Sequence, residues 1–385
     1  MKLKILGTAA AVLVLCTGAA PKPKSDLPPP ANFLFWTPAQ QAIGYRSIEK
    51  IFPTRVVKRG PAVSALPRGT KPFDVSYKFR GKMWNTAAVM QANSMSGLLI
   101  IKNGHIVLER YGLGRKPADR WTSFSVAKSI TSSLFGAAIQ MGYIKSVDDP
   151  MMRYMPELKG TAYDGVTIRD LITMRSGVKW NENYSDPKSD VNQFGIQTGK
   201  NPVESYMMKL PRAHKPGTTF SYNTGETDLA GILVARATHM HLADFLSKAV
   251  WSKIGAEEDA VWMLDQGGNE LGGCCISMTL RDYGRFGLMF LNNGKANGQQ
   301  IIPADWVAQS TRKQTKGFSK FDYGYFWWIH PDGTYEAIGI FGQSIVIDPK
   351  DNLVIVANSA LPQADATKYY EVHDAYVAAV EKALR

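Results

Sequence analysis

The spacing of apolar and polar residues changes character along the chain. In "SGLLIIKNGHIVLERYG" (96–112) two β-rich runs flank Asn103-Gly104. That dipeptide accepts the positive φ angles of a tight turn, so the segment predicts an antiparallel hairpin. Residues 126–142 follow as an apolar run of helical length. In "TIRDLITMRSG", Thr167 stands as an N-cap and Gly177 as a stop. "TGETDLAGILVARATHM" and "LRDYGRFGLMFLNNG" repeat apolar residues at helical spacing. The pattern then returns to strands in "FDYGYFWWIH", "YEAIGIFGQSIVIDP" and "NLVIVANS", before a last helical run, "YYEVHDAYVAAVEKAL".

Strands at both ends thus enclose helices. This predicts an α+β fold, an antiparallel sheet flanked by helices with an inserted mostly helical lobe. The sheet lobe is expected over 86–125 and 271–385, and the helical lobe over 126–270. Residues 31–85 show few periodic runs and read as an N-terminal extension wrapping the body; with the linker before them they span 21–85. A cleft between lobes is the expected place for a site.

Residues 1–20 read as a targeting segment rather than fold. "MKLK" is a basic start, and "ILGTAAAVLVLCTGAA" is an apolar run ending in small residues. Cleavage is expected after Ala19 or Ala20, with Pro21 disfavouring the latter. A lipid on Cys16 and retention as an uncleaved anchor, hence a membrane tether, are the alternatives. Each places the remaining chain outside the cytoplasm, in the periplasm or cell envelope. "PKPKSDLPPP" then reads as an extended linker. No internal stretch approaches the roughly 20 apolar residues of a spanning helix.

The formal net charge is +12, and loss of Lys2 and Lys4 with the first 20 residues leaves +10. Basic residues are interspersed with acidic ones, so no nucleic-acid partner is expected. A small-molecule substrate is. Of three cysteines, Cys274 and Cys275 are adjacent, a spacing that rarely pairs without strain. They are expected to be small buried residues, with no disulfide framework. The six His are scattered and no metal-binding spacing occurs, so no metal or organic cofactor is expected. His214, His239 and His241 lack a base-like context, and no G-x-S-x-G elbow exists.

The candidate chemistry lies in "SFSVAKS". Ser125 and Lys128 have the S-x-x-K spacing, which Ser47/Lys50, Ser176/Lys179, Ser185/Lys188 and Ser310/Lys313 share. Only Ser125 sits where an irregular segment meets an apolar helix. There a hydroxyl can stand at a helix N-terminus with the lysine one turn on, on the same face. A lysine desolvated in a pocket loses proton affinity and can act as a base. The alternative is a capping serine and a solvated lysine. Tyr222 precedes an apolar helix, and Gly342-Gln343 lies within a strand, where glycine often marks a close approach. Trp180 and Tyr184 lie in the loop "SGVKWNENYSDPKSD", as packing residues or substrate contacts.

Together these segments resemble the serine β-lactamase and penicillin-binding-protein superfamily, on its class C β-lactamase and esterase branch, and within it most of all the 6-aminohexanoate-dimer hydrolases. The similarity runs over roughly residues 33–385, through "FWTPAQQ", "SFSVAKS", "PGTTFSYNTGETDLAG" and "FGQSIVIDP". It implies a β-lactamase/transpeptidase-like fold, an acyl-enzyme mechanism and no cofactor. By position Ser125 resembles the nucleophile, Lys128 its base and Tyr222 the tyrosine of a Tyr-x-Asn element whose third residue here is Thr224. The Lys-Thr-Gly strand element falls at Ile340-Phe341-Gly342, without its lysine and threonine. The grip on a β-lactam carboxylate is therefore missing, while the backbone at Gly342 and Gln343 is left to hold an oxyanion. Trp180, Tyr184, Thr224 and Phe341 complete the candidate pocket. The expected activity is an exported serine hydrolase acting on small linear amides or carboxylic esters. A β-lactamase or D-alanyl-D-alanine-type peptidase, and a catalytically silent penicillin-recognising protein, are the alternatives.

Overall fold

A computed structural model describes residues 26–385. The targeting segment and Cys16 lie outside the described residues. The body is an eight-stranded sheet in the order 315–316, 322–323, 328–329, 335–339, 343–348, 353–359, 95–102, 105–111. Every pairing in it is antiparallel. Asn103 and Gly104 take φ of 51° and 76° and turn the hairpin, with Lys102 opposite His105. Leu353–Ser359 then pairs with Met95–Lys102, which joins the two ends of the described chain in one sheet.

The central strands are buried along their whole length because helices cover both faces. Side chains alternate between two cores, as the period of a strand requires. Leu99, Ile101, Ile345 and Val354 enter the larger core, and Leu98, Ile100, Val346 and Ile355 the smaller. Helices Thr86–Ala92 and Thr367–Leu384 cover the smaller one, the latter through Tyr376 and Val380. Helix Leu280–Leu291 packs closely on the other face, where a Cβ on Gly287 would come within 2.7 Å of Val354 Cγ1.

The middle of the chain is mostly helical, and two of its helices are buried nearly all round. Val126–Gln140 and Thr224–Thr238 bury most of their length and pack against each other. Asn223 caps the second through its side chain. Thr167 caps as the sequence predicts, with Asp170 returning the bond, but that helix ends at Ile172 rather than at Gly177. Met174 already turns the chain there, with φ 57°.

The pattern along the chain gives no sign of a second, four-stranded sheet. It orders 54–57, 260–263, 276–278 and 121–122. Its strands span two to four residues, too short for a period to register. It ties the N-terminal extension to the strand that delivers Ser125. The extension itself holds two short helices and a hairpin, 76–79 with 82–85.

Gly136 shows how tightly the Val126–Gln140 helix is seated: a Cβ there would lie 2.5 Å from Cγ of the buried Trp306. Gly136→Val is expected to lower stability by about 1–3 kcal/mol through overpacking. A urea-unfolding midpoint tests this, and an unchanged midpoint would mean that Trp306 can move aside.

Candidate active site

The chain enters the site from strand Trp121–Thr122 and turns sharply at Phe124, a non-glycine residue at φ 43°. Ser123 holds the turn from both sides, donating its N–H to the Ile276 carbonyl and accepting the Ile276 N–H on Oγ. Ser125 comes next, at the N-terminus of Val126–Gln140, and its side chain makes no capping bond to the helix. Its Oγ instead accepts a hydrogen bond from Lys128 Nζ at 3.1 Å. The capping alternative is thereby removed. Of the five lysines at S-x-x-K spacing, Lys128 alone is buried.

Lys128 Nζ donates three bonds, to Ser125 Oγ, to Thr224 Oγ1 at 3.0 Å and to the Gly273 carbonyl at 2.9 Å. Burial pulls its pKa down to about 8, against the opposing pull of Glu182 and Asp228. Each acceptor is itself held. Asp228 Oδ1 accepts the Gly273 N–H at 2.7 Å, and burial raises the Asp228 carboxyl. Glu182 accepts from the Thr224 N–H, Thr224 Oγ1, Trp180 Nε1 and Tyr184 Oη. Burial lifts nearby Glu226 to about 8, and Ser176 and Tyr163 bond to its carboxyl.

Tyr222 closes the site from the side. Its phenol is close enough to the Ser125 hydroxyl for that group to draw its pKa down in part, and its ring stacks on Trp328 with centroids 5.5 Å apart. Lys128 Nζ lies 5.1 Å from the ring centroid. Burial and the Glu182 charge hold the phenol well above its ordinary pKa, so it keeps its proton at neutral pH.

The strand element meets Ser125 three residues earlier than the motif placed it. A Cβ on Gly339 would lie 3.1 Å from the Ser125 N and 2.6 Å from the Ser123 carbonyl, so only glycine lets the strand approach. Ile340 lines the same cavity as Ser125. Gly342 and Gln343 line a separate small cavity with Glu336 and His373, which corrects the expectation that they face the nucleophile. The reason is the turn at 340–342, where Phe341 and Gly342 take φ of 60° and 85°. The Gln343 side chain bonds to Trp121 Nε1 and to the Phe341 and Ser359 carbonyls, and so staples this turn. Phe341 is likewise a packing residue, set against Tyr45 and Phe124 rather than in the pocket. Trp180 sits behind the pocket on Phe194, whereas Tyr184 and Thr224 reach it.

The cavity at Ser125 has a volume of about 420 Å³. Cys274 is on its wall, and the structure joins Cys274 to Cys275 in a disulfide, contrary to expectation. Cys275 has φ 66°, which breaks the alternation of an extended chain and turns the neighbouring side chains to one side. His239 and His241 line a different cavity. Among the described residues no cluster of His, Cys, Asp or Glu could hold a metal ion.

The residues that pattern reading missed are Glu182, Asp228 and Gly339. Asp228 carried a signal, being an acid on a helix buried all round. Glu182 stood between the two aromatic residues of its loop that drew notice.

Known proteins supply an independent comparison. The family model described as Beta-lactamase matches residues 85–377. A 6-aminohexanoate-dimer hydrolase of Paenarthrobacter ureafaciens is 29% identical over 314 residues, 77% of this chain and 80% of the relative. A solved structure from Bacillus anthracis, assigned to the 6-aminohexanoate-dimer hydrolases, superposes with a TM-score of 0.81 at 25% identity, covering 90% of this chain and 94% of that one. A family VIII carboxylesterase shares the fold, with a TM-score of 0.60 at 16% identity over 76% of this chain and 95% of its own. The chain therefore belongs to the beta-lactamase family, within the superfamily of serine β-lactamases and penicillin-binding proteins.

Proposed function

We propose that the protein is an exported serine hydrolase that cleaves small linear amides or carboxylic esters through an acyl-Ser125 intermediate. The observation that carries this reading is the buried Lys128 amine bonded to Ser125 Oγ, with its pKa brought down to about 8. A neutral amine there accepts the Ser125 proton as Oγ attacks the carbonyl carbon. The developing oxyanion is left to the Ser125 N–H at the start of the helix, where the strand comes up beside it at Gly339. Tyr222, which keeps its proton, gives it to the leaving nitrogen or oxygen as the bond to the acyl carbon breaks. Lys128 returns the serine proton to Tyr222. Water then enters by the reverse route, and its proton passes through Lys128 to restore Ser125 as the acid departs. Glu182 and Asp228 hold Thr224 and Gly273, and through them the lysine.

Esters and linear amides are favoured over β-lactams because Ala337 and Ile338, not a cation and a hydroxyl, precede Gly339, the strand glycine that meets Ser125, so the grip on a β-lactam carboxylate is missing. Export rests on the basic start and apolar run of residues 1–20. Cell fractionation with N-terminal mass analysis should find a chain beginning near residue 20 or a lipid on Cys16, and an intact cytoplasmic chain would refute it.

Ser125→Ala is expected to abolish both fluorophosphonate labelling, read by intact mass, and hydrolysis of short esters, while circular dichroism is unchanged. Near-native turnover by that variant would remove Ser125 as the nucleophile. The lysine makes a separate forecast about pH. The active form carries neutral Lys128, so kcat/KM should rise as pH passes through about 8 and level off above it. Lys128→Ala should cost about 10²–10⁴-fold, and Lys128→Arg should not rescue it, because a guanidinium stays protonated. A flat profile between pH 6 and 9 would exclude Lys128 as the base.

A further inference from the structure

A second groove lies on the other face of the large sheet. Phe124 and Val126, which flank the nucleophile, belong to the larger core, whereas hairpin 76–79 with 82–85 packs on the smaller one. Tyr77 and Trp84, opposite each other in the register, anchor the hairpin there, beside helix Thr367–Leu384. Its turn, Arg80-Gly81, takes φ of 49° and 77°. A Cβ on Gly81 would meet nothing within 4 Å, so the tip stands clear of the body.

The charges on this tip are all of one sign. From residue 75 to residue 101 the only charged side chains are Lys78, Arg80 and Lys82. The groove beneath the tip has a volume of about 250 Å³ and is lined by Arg80, Lys82 and Lys368, with no acid on its wall. Phe79, Trp84 and Tyr369 supply aromatic wall between them. Arg80 lies over the Phe79 ring at 5.3 Å and Lys368 over the Tyr369 ring at 4.8 Å. Glu371 pairs with Arg80 at 2.7 Å, but Lys82 and Lys368 have no ion-pair partner among the described residues. Like charges gathered on one rim repel each other, and an anion held between them removes that cost.

The outer face of the hairpin says which kind of anion fits. Lys78 and Met83 stand opposite each other there, and Met83 is 69% exposed. An apolar side chain held in water among cations suits the boundary of a negatively charged membrane, where the cations meet phosphates and the apolar group leaves water. A soluble polyanion would use the cations and leave Met83 in water.

We propose that this hairpin tip and groove dock the protein on anionic phospholipid bilayers, with a lipid phosphate between Arg80, Lys82 and Lys368 and with Met83 entering the interface. The groove shares no residue with the Ser125 cavity, so docking leaves that cavity free.

Sedimentation of the full chain with lipid vesicles tests this. The quantity read is the binding that phosphatidylglycerol adds over pure phosphatidylcholine, so any contribution of residues 1–20 cancels. The partition coefficient should rise at least about tenfold at low salt, and the gain should shrink as salt is raised. Arg80→Gln with Lys82→Gln and Lys368→Gln should remove the gain and leave the melting temperature unchanged. Lys145→Gln with Lys159→Gln and Lys209→Gln, which takes the same charge from exposed lysines elsewhere, should keep it. Met83→Ser should lower it by about twofold or more, through the apolar area lost from the interface. Should the groove variant not fold, the lipid comparison and Met83→Ser decide alone. Equal binding to both vesicle types overturns the proposal. Equal loss in the two triple variants does so too, since net charge would then be responsible. A gain untouched by Met83→Ser assigns the groove to soluble polyanions and overturns the bilayer assignment.

Discussion

The site depends on keeping one amine out of water. Lys128 is 2% exposed, in surroundings where an ammonium would be poorly solvated. Its three acceptors are what make that burial tolerable, and each is fixed by a further group. Glu182 orients Thr224, Asp228 orients Gly273, and the helix start orients Ser125. Two carboxylates nearby offset part of the burial, so the amine stays titratable near neutrality instead of being neutral throughout. Loss of any member would leave a buried donor or acceptor unpaired, which costs more than the bond itself contributes.

That constraint accounts for features elsewhere in the fold. The two helices at whose starts Ser125, Lys128, Thr224 and Asp228 stand are buried nearly all round, polar residues included, because they form the middle of the molecule rather than its surface. The segment that passes between them at Gly272-Gly273 has no room for side chains. A Cβ on Gly272 would meet the Thr227 carbonyl at 2.6 Å, and one on Gly273 would sit 3.2 Å from Lys128 Nζ. On the other flank, Gly339 lets the sheet edge come up to Ser125. Glycines set the site's dimensions as much as its polar side chains set its chemistry.

The strand element shows how a shared fold can carry an altered specificity. Its backbone still reaches the nucleophile, but Phe341 is turned into an aromatic cluster with Tyr45 and Phe124. Ala337 and Ile338 precede Gly339, where the strand meets Ser125, and Ile340 after it joins the cavity wall. The N-terminal extension supplies part of that wall, so a segment that looks peripheral in sequence takes part in the site.

The local sequence determined what local physics can determine. Asn103-Gly104 specified its hairpin because few other dipeptides accept two positive φ angles. Thr167 and the run after Asn223 specified helix starts, and S-x-x-K at the head of an apolar helix placed Ser125 and Lys128 one turn apart. Five such pairs occur, however, and nothing within four residues of each other says which lysine is dry. Burial of Lys128 comes from helix Thr224–Thr238 and from Gly273, which are 96 and 145 residues away in the chain. The same holds for the four-stranded sheet of very short strands, for Glu182, and for the approach of Gly339 rather than Gln343 to the serine. Each depends on segments distant in sequence meeting in space, and only the tertiary structure could decide them.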